Sequence, residues 1–435
     1  MKKFLALTLS LLLLSILVVA CANDAPEPGT PADAQTDTPP PDTDETISGN
    51  LTFMTWDAYA DETFGEVIEN FNNYYPEVNV TISSVGFGDY WVRMTTTLMA
   101  DDAPDVFWLN YPYAINFIPT GRIMDLTDIG IDFTQFASNL YEPFSYEGKK
   151  YGIPFNLDVV VMYFNKHMFD EAGLEHPEPG WTWDDFLHAA QELTIRSDDD
   201  QIIRHGVTLL FDTQSGFPIF VYSNGGRILN DEGTESIMHT DPLTIEALQF
   251  MNDLAWKYRV APTQPEFAEM QAQGIDLFMS GMAAMTNGGA WVFAIYQEHM
   301  GDALGMTSMP RRHTPESTLH NLAYSASEAT NYRAATEAFM NFLATPRVSQ
   351  LLSQNYVPAD FATQTTFFEA NPEIQVMQEI LLYARPLTMA SVNPGPVFSN
   401  MEGFMFANVF NNPIVTVENV RAADEAINAI INAAD

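Results

Sequence analysis

The chain is 435 residues long and carries 18 lysines and arginines against 57 aspartates and glutamates, a formal net charge of −39. A field of that sign repels nucleic acid and anionic lipid surfaces and weighs against a DNA- or RNA-binding role; its plainest reading is solubility outside the cell. A single cysteine excludes disulfides within the chain and any Cys-x-x-Cys motif, while the length exceeds one compact core and suits two lobes.

Met1-Lys2-Lys3 is a short basic start, and Phe4 to Ala20 is apolar without a charge. Basic head, apolar middle and small residue before the cut are the anatomy of an export signal. The run is at the lower limit for spanning a bilayer, so an uncleaved anchor helix is the alternative. Val18-Val19-Ala20-Cys21 resembles the lipobox of bacterial lipoproteins. The resemblance implies that residues 1–20 are removed and that the Cys21 thiol carries a diacylglyceryl group, a membrane anchor; two acyl chains hold stably where one holds only marginally. Residues 22–49 repeat Pro, Asp, Thr and Glu with almost no large apolar side chain, so 21–49 reads as the lipidated cysteine and a disordered tether, with a reach of roughly 30 Å.

From there the elements follow in order. Leu51–Trp56 is strand-like, and Phe64, Val67, Ile68 and Phe71 recur at helical spacing. Val78–Ile82 alternates as a strand, Trp91, Met94 and Leu98 form a helical stripe, and Asp105–Leu109 is a short buried strand. This β-α-β-α-β order predicts an α/β lobe with a largely parallel sheet. Asp158–Phe164 is another buried strand. Thr182 is the expected N-cap of a helix, with Asp185 in the capping-box position. Gly206–Phe211 reads as a strand, Asp241-Pro242 opens a helix marked by Leu248, Met251, Leu254, Ala255 and Tyr258, and Ala283–Thr286 is a short strand ending in Asn287-Gly288-Gly289. Phe339, Phe342 and Leu343 share one helix face, as do Val420, Ala423, Ile427 and Ile430.

The chain contains no Gly-x-Ser-x-Gly, His-Glu-x-x-His or Gly-x4-Gly-Lys-Ser/Thr motif. None of its eight histidines is paired at zinc-ligand spacing, and Asp198-Asp199-Asp200 lacks the pattern of a calcium loop. No cofactor or metal is expected. Aromatic and amide residues instead stand where strands end: Trp56-Asp57 after the first, Asn110-Tyr111 after the third, and Trp291 after the Asn-Gly-Gly turn. Ligands of open α/β sheets bind outside the carboxyl ends of strands. A flat indole suits the C–H face of a sugar ring, and Asp or Asn can meet neighbouring hydroxyls. Trp108, inside a buried strand, is expected in the core, as is packing for Trp256; Trp181 and Trp183 are expected to pack locally around their helix start.

Phe164-Asn-Lys-His-Met-Phe-Asp-Glu-Ala-Gly-Leu174 followed by Trp181-Thr-Trp-Asp-Asp-Phe186 resembles the signature of bacterial extracellular solute-binding proteins, in the sugar-binding class similar to maltose-binding protein. Ala103-Pro-Asp-Val106, Tyr151-Gly-Ile-Pro154, Gly281-Met-Ala-Ala-Met285, Gly288-Gly-Ala-Trp291 and Val357-Pro-Ala359 follow in the family's order. The resemblance implies a periplasmic-binding-protein-like type II fold: two α/β lobes, a hinge and a central ligand cleft. The lobes are placed at 50–157 plus 322–358 and at 158–321 plus 359–435. Carried over by position, Trp291 is the expected stacking residue beyond Gly289. Asp158 is the expected carboxylate past the first crossing, and Trp56 and Asp57 fall in the first ligand loop. Asn110 stands where the family commonly has Asp, with Tyr111 beside it. Tyr222, Asn224 and Gly225 fall in a second-lobe segment that reaches the cleft, and Arg385 and Phe398 in a late segment that often supplies an aromatic.

The expected function is a lipid-anchored, monomeric solute-binding protein on the outer face of the cell membrane. It would capture a sugar or oligosaccharide without chemistry and deliver it to an ABC import permease. The alternatives are a non-sugar solute such as a polyamine, a lipid-anchored glycan-degrading enzyme, or a sensor that reports to a kinase.

Overall fold

The computed structural model describes residues 47–387 and 389–434. The expected leader 1–20, Cys21 and the tether up to residue 46 lie outside the described residues. Among the latter, no helix is long and apolar enough to cross a membrane.

Alternation builds the first strand: in Gly49–Thr55 (β1) Leu51 and Phe53 are buried while Thr52 is exposed, as a half-covered pleat requires. Val78–Ser84 (β2), Val106–Asn110 (β3) and Ile153–Pro154 (β4) follow. Further along come Val160–Asn165 (β5), Met285–Gly289 (β6), Leu304–Thr307 (β7) and Leu322–Ala326 (β8). One sheet has the order β2-β1-β3-β8-β4. Its β2-β1 and β1-β3 pairs are parallel, linked by helices Ala60–Tyr74 and Phe87–Met99, as the β-α-β-α-β order predicted. β8 returns from far along the chain and runs antiparallel to both of its neighbours.

A second sheet, β6-β5-β7, is antiparallel throughout. The expected strand Gly206–Phe211 does not form; its run makes only single bridges, His205 to Ala283 and Thr208 to Thr286. At Leu210 a side chain replaces the ladder, because Leu210 N donates to Asn287 Oδ1 at 2.7 Å. β6 itself begins at Met285 and takes in the Asn-Gly-Gly triplet that sequence assigned to a turn.

β5 is buried on both faces. Val161 and Tyr163 pack into one apolar cluster with the first sheet, and Val160, Met162 and Phe164 into a second with helices Trp183–Leu193, Pro242–Trp256 and Val417–Ile431. Thr182 caps the first of these helices, its side chain accepting from Asp185 N while the Asp185 carboxylate accepts from Thr182 N. Trp181 and Trp183 are buried there, and Trp183 stacks on Phe250 at 4.3 Å. Trp108 is fully enclosed, whereas Trp256 stays partly exposed on its helix.

Three distant segments run side by side between the two sheets. Leu157 N donates to Val357 O at 2.8 Å, His320 N to Asp158 O at 2.7 Å and Phe155 N to Leu322 O at 3.3 Å.

Candidate functional site

A cavity of about 400 Å³ lies where these segments meet the strand ends, and both Trp56 and Trp291 line it. Trp56 follows β1 directly. Its indole is gripped edge-on by Phe87, Tyr90 and Trp108, with ring centres 5.5, 4.9 and 4.9 Å away, so its orientation is set by packing. Asn110 ends β3, and Tyr111 opens helix Tyr111–Phe117; both line the cavity, and burial pushes the Tyr111 hydroxyl up.

Asp158 and Trp291 also line the cavity. The Asp158 carboxyl accepts from Ala290 N at 2.8 Å, and its burial raises its pKa well above the carboxylate range against that bond. Trp291 is 41 % exposed and meets the edge of His320 at 5.4 Å with the rings perpendicular. His320 Nε2 donates to Gln214 O at 3.1 Å. Burial drives its pKa down to about 4, so the ring is neutral at pH 7.

The floor is the loop Leu210–Ser215, of which Leu210, Asp212, Gln214 and Ser215 line the cavity. Asn287 pins this loop: its Oδ1 accepts from Leu210 N, and its Nδ2 donates to Ser215 O at 2.6 Å. The Asp212 carboxyl accepts from Gln214 N at 2.8 Å and from Ser215 N, yet burial still raises its pKa. Asn110 Oδ1, Ser215 Oγ and Asn321 Oδ1 are buried at the wall without a hydrogen-bond partner among the described residues. No lysine or arginine lines the cavity among the described residues.

Five residues expected from sequence are thus brought together: Trp56, Asn110, Tyr111, Asp158 and Trp291. Gly289 serves Trp291 rather than presenting a contact of its own, because a Cβ there would lie 1.7 Å from the indole. The remaining expected residues lie elsewhere, each for a local reason. Asp57 spends its carboxylate on Tyr59 N, Thr63 Oγ1 and Tyr356 Oη, all within 2.9 Å. Asn224 is buried at the end of helix Phe217–Ser223 and donates to Leu243 O at 2.8 Å. Arg385 pairs with Glu316 and lies over the Tyr222 ring at 5.1 Å, which takes both Arg385 and Tyr222 away from the cavity. Phe398 sits against Tyr113, ring centres 6.5 Å apart, on helix Pro394–Met405.

Sequence reasoning missed the Leu210–Ser215 loop, Phe87, His320 and Asn321. The strand-end rule that found Trp56 would also have found residues 212–215, which directly follow the run read as a strand. A larger groove of about 860 Å³ is lined by Tyr59, Ala290, Phe293, Gln297, Asn355 and Tyr356 among others.

Comparison with known proteins places this geometry. The family described as bacterial extracellular solute-binding protein matches residues 66–375. An arabinooligosaccharide-binding protein of Halalkalibacterium halodurans is 25 % identical over 264 residues, 59 % of this chain and 57 % of the relative's length. A multiple sugar-binding protein of Streptococcus mutans is 24 % identical over 316 residues, 67 % of this chain and 70 % of the relative. Among solved structures, an ABC substrate-binding protein from Listeria monocytogenes in complex with cycloalternan superposes with a TM-score of 0.76 at 23 % identity, covering 88 % of this chain and 98 % of that one. The GacH receptor of Streptomyces glaucescens reaches 0.76 at 20 % identity over 89 % and 100 %. These likenesses show the fold, the periplasmic-binding-protein-like type II architecture.

Proposed function

Because the chain belongs to the bacterial extracellular solute-binding protein family, a family of binding proteins rather than enzymes, we propose that it captures a sugar or oligosaccharide between Trp56 and Trp291 and delivers it unaltered to an ABC import permease. The observation that carries this reading is the presence of two indoles in the lining of one cavity whose wall also holds Asn110, Asp158 and Asn321. Indole faces cover the C–H side of a ring, and the amide and carboxyl oxygens take its hydroxyl hydrogens. The relatives named for sugars agree with it. A relative named for sn-glycerol 3-phosphate points to an anion, but a wall free of lysine and arginine gives a phosphate no cationic partner.

Asp158 and Asp212 raise the question of glycoside cleavage, which uses a carboxyl pair. Both accept from backbone N–H groups, and the protein is expected to release a chromogenic glycoside intact. The halves 50–157 plus 322–358 and 158–321 plus 359–435 would close about the segments at 155–159, 319–322 and 357–358, and ligand would shift the population because only the closed form touches it from both sides. A lipid anchor at Cys21 would hold a monomer at the outer membrane face near its permease.

Titration calorimetry across a sugar panel, repeated with Trp291→Ala, tests the proposal. Binding to the parent protein that weakens at least tenfold in the variant supports it. Binding of no sugar, or equal affinity in both proteins, overturns it.

A further inference from the structure

The cavity's charged groups are lopsided, although Trp56, Tyr111, Gln214 and Trp291 also bring donors to its lining. Its wall carries two deeply placed carboxyls, Asp158 and Asp212, and the unpartnered oxygens of Asn110 and Asn321. Asn321 has already spent its Nδ2 on the carbonyls of Asn139 and Leu140, at 2.8 and 3.0 Å, so only an acceptor remains. The neutral His320 gives its proton to Gln214 O and is not available. Asp212 also has company: Glu402, on helix Pro394–Met405, lies close enough to feel its charge. No lysine or arginine stands in the wall, among the described residues, to balance these acids.

We propose that the preferred solute is an amino sugar, its ammonium group entering the acceptor-rich part of the cavity that Asp158 and Asp212 line. The inference rests on the reading of the cavity as a sugar site and narrows it. A hydroxyl meets a carboxyl with a single donor and no charge. An ammonium brings three donors and no acceptor. Buried carboxyls without a cationic partner carry a desolvation cost that backbone amides offset only in part, and a cationic ligand offsets more of it while making charge-assisted hydrogen bonds. The chain's net charge of −39 acts in the same direction at long range, drawing cations toward the surface.

The test uses matched sets in the gluco, galacto and manno series, as monosaccharides and disaccharides: the neutral hexose, the 2-amino-2-deoxy sugar and its N-acetyl derivative. Titration of the full chain at one pH and ionic strength should show the free amine binding at least tenfold tighter than both counterparts in the series that binds. Asp212→Asn should cut that ratio at least threefold, and so should Glu402→Gln, which leaves the loop amides their acceptor. Neutral and amino sugars binding alike, or ratios unchanged in both variants, would overturn the proposal while leaving the sugar reading intact. Failure of every member of every series to bind would overturn both.

Discussion

Gly289 and Trp291 are bound to each other by space: a Cβ at residue 289 would fall 1.7 Å from Cζ3 of the indole. The ring at 291 therefore lies over the backbone at 289, and the glycine is the seat of the aromatic wall. Gly289 has an ordinary extended backbone, with φ −83° and ψ 176°, so an alanine is tolerated by the chain and rejected only by the indole. Gly289→Ala should weaken sugar binding roughly tenfold or more, about 1.4 kcal/mol, with little change in far-ultraviolet circular dichroism. Calorimetry beside Trp291→Ala checks it: the two losses should be of similar size.

Asp57 is a structural clamp. Its carboxylate joins the loop after β1 to Thr63 and, through Tyr356 Oη at 2.9 Å, to the segment before Val357. The Tyr356 hydroxyl is pushed up by burial and then by the nearby carboxylate. Tyr356→Phe should lower stability by about 1 kcal/mol, the net worth of one hydrogen bond, and Asp57→Ala by more because three donors lose their acceptor. Urea midpoints measure both. Loss of sugar binding in Asp57→Ala with an unchanged midpoint would instead return Asp57 to the ligand.

His320 makes stability depend on pH with a definite sign. Its pKa is about 4 in the folded chain against an ordinary 6.5, so unfolding takes up a proton between those values. The contribution is complete above pH 6.5 and is lost as pH falls toward 4, about 3 kcal/mol at most. Asp158 and Asp212, raised by burial, act oppositely, stabilising in acid and losing that contribution as pH rises through their folded values. His320→Gln isolates the histidine: its stability relative to the parent should rise steadily from pH 7 to pH 4.5. A constant difference across that range contradicts the assignment.

Helix Pro394–Met405 touches helix Tyr111–Phe117 beside the cavity. Tyr113 Oη and Ser399 Oγ are 3.1 Å apart, and a Cβ on Gly395 would stand 2.5 Å from Asn116 Nδ2. Gly395→Val should force the helices apart, enlarging the radius of gyration in small-angle scattering and weakening sugar affinity severalfold. Asn116→Ala in the same chain removes the obstructing atom and should restore both. No rescue would mean that the valine acts within its own helix.

Much of the molecule is written locally. The stripe Phe64, Val67, Phe71, the alternation in β2 and the Thr182–Asp185 capping box each depend on residues within a few positions, and local patterns survive in any fold that buries one face. Arg385 and Tyr222 show the opposite case. Each was a plausible cleft residue by position, yet a cation over a ring and an ion pair to Glu316 occupy them elsewhere, and nothing in the spacing of residues 222, 316 and 385 announces that meeting.

The same division applies to the site. By itself the sequence determined which residue types stand at strand ends and so could present an indole or an amide at a sheet's carboxyl edge, because a strand's length and its terminus are set by neighbours along the chain. Only the tertiary structure decided which ends face one cavity, that Asn287 draws the Leu210–Ser215 loop beneath them, and that Asp57 turns away. Those outcomes depend on hydrogen bonds and packing between segments far apart in sequence, whose partners are chosen by the three-dimensional path of the backbone.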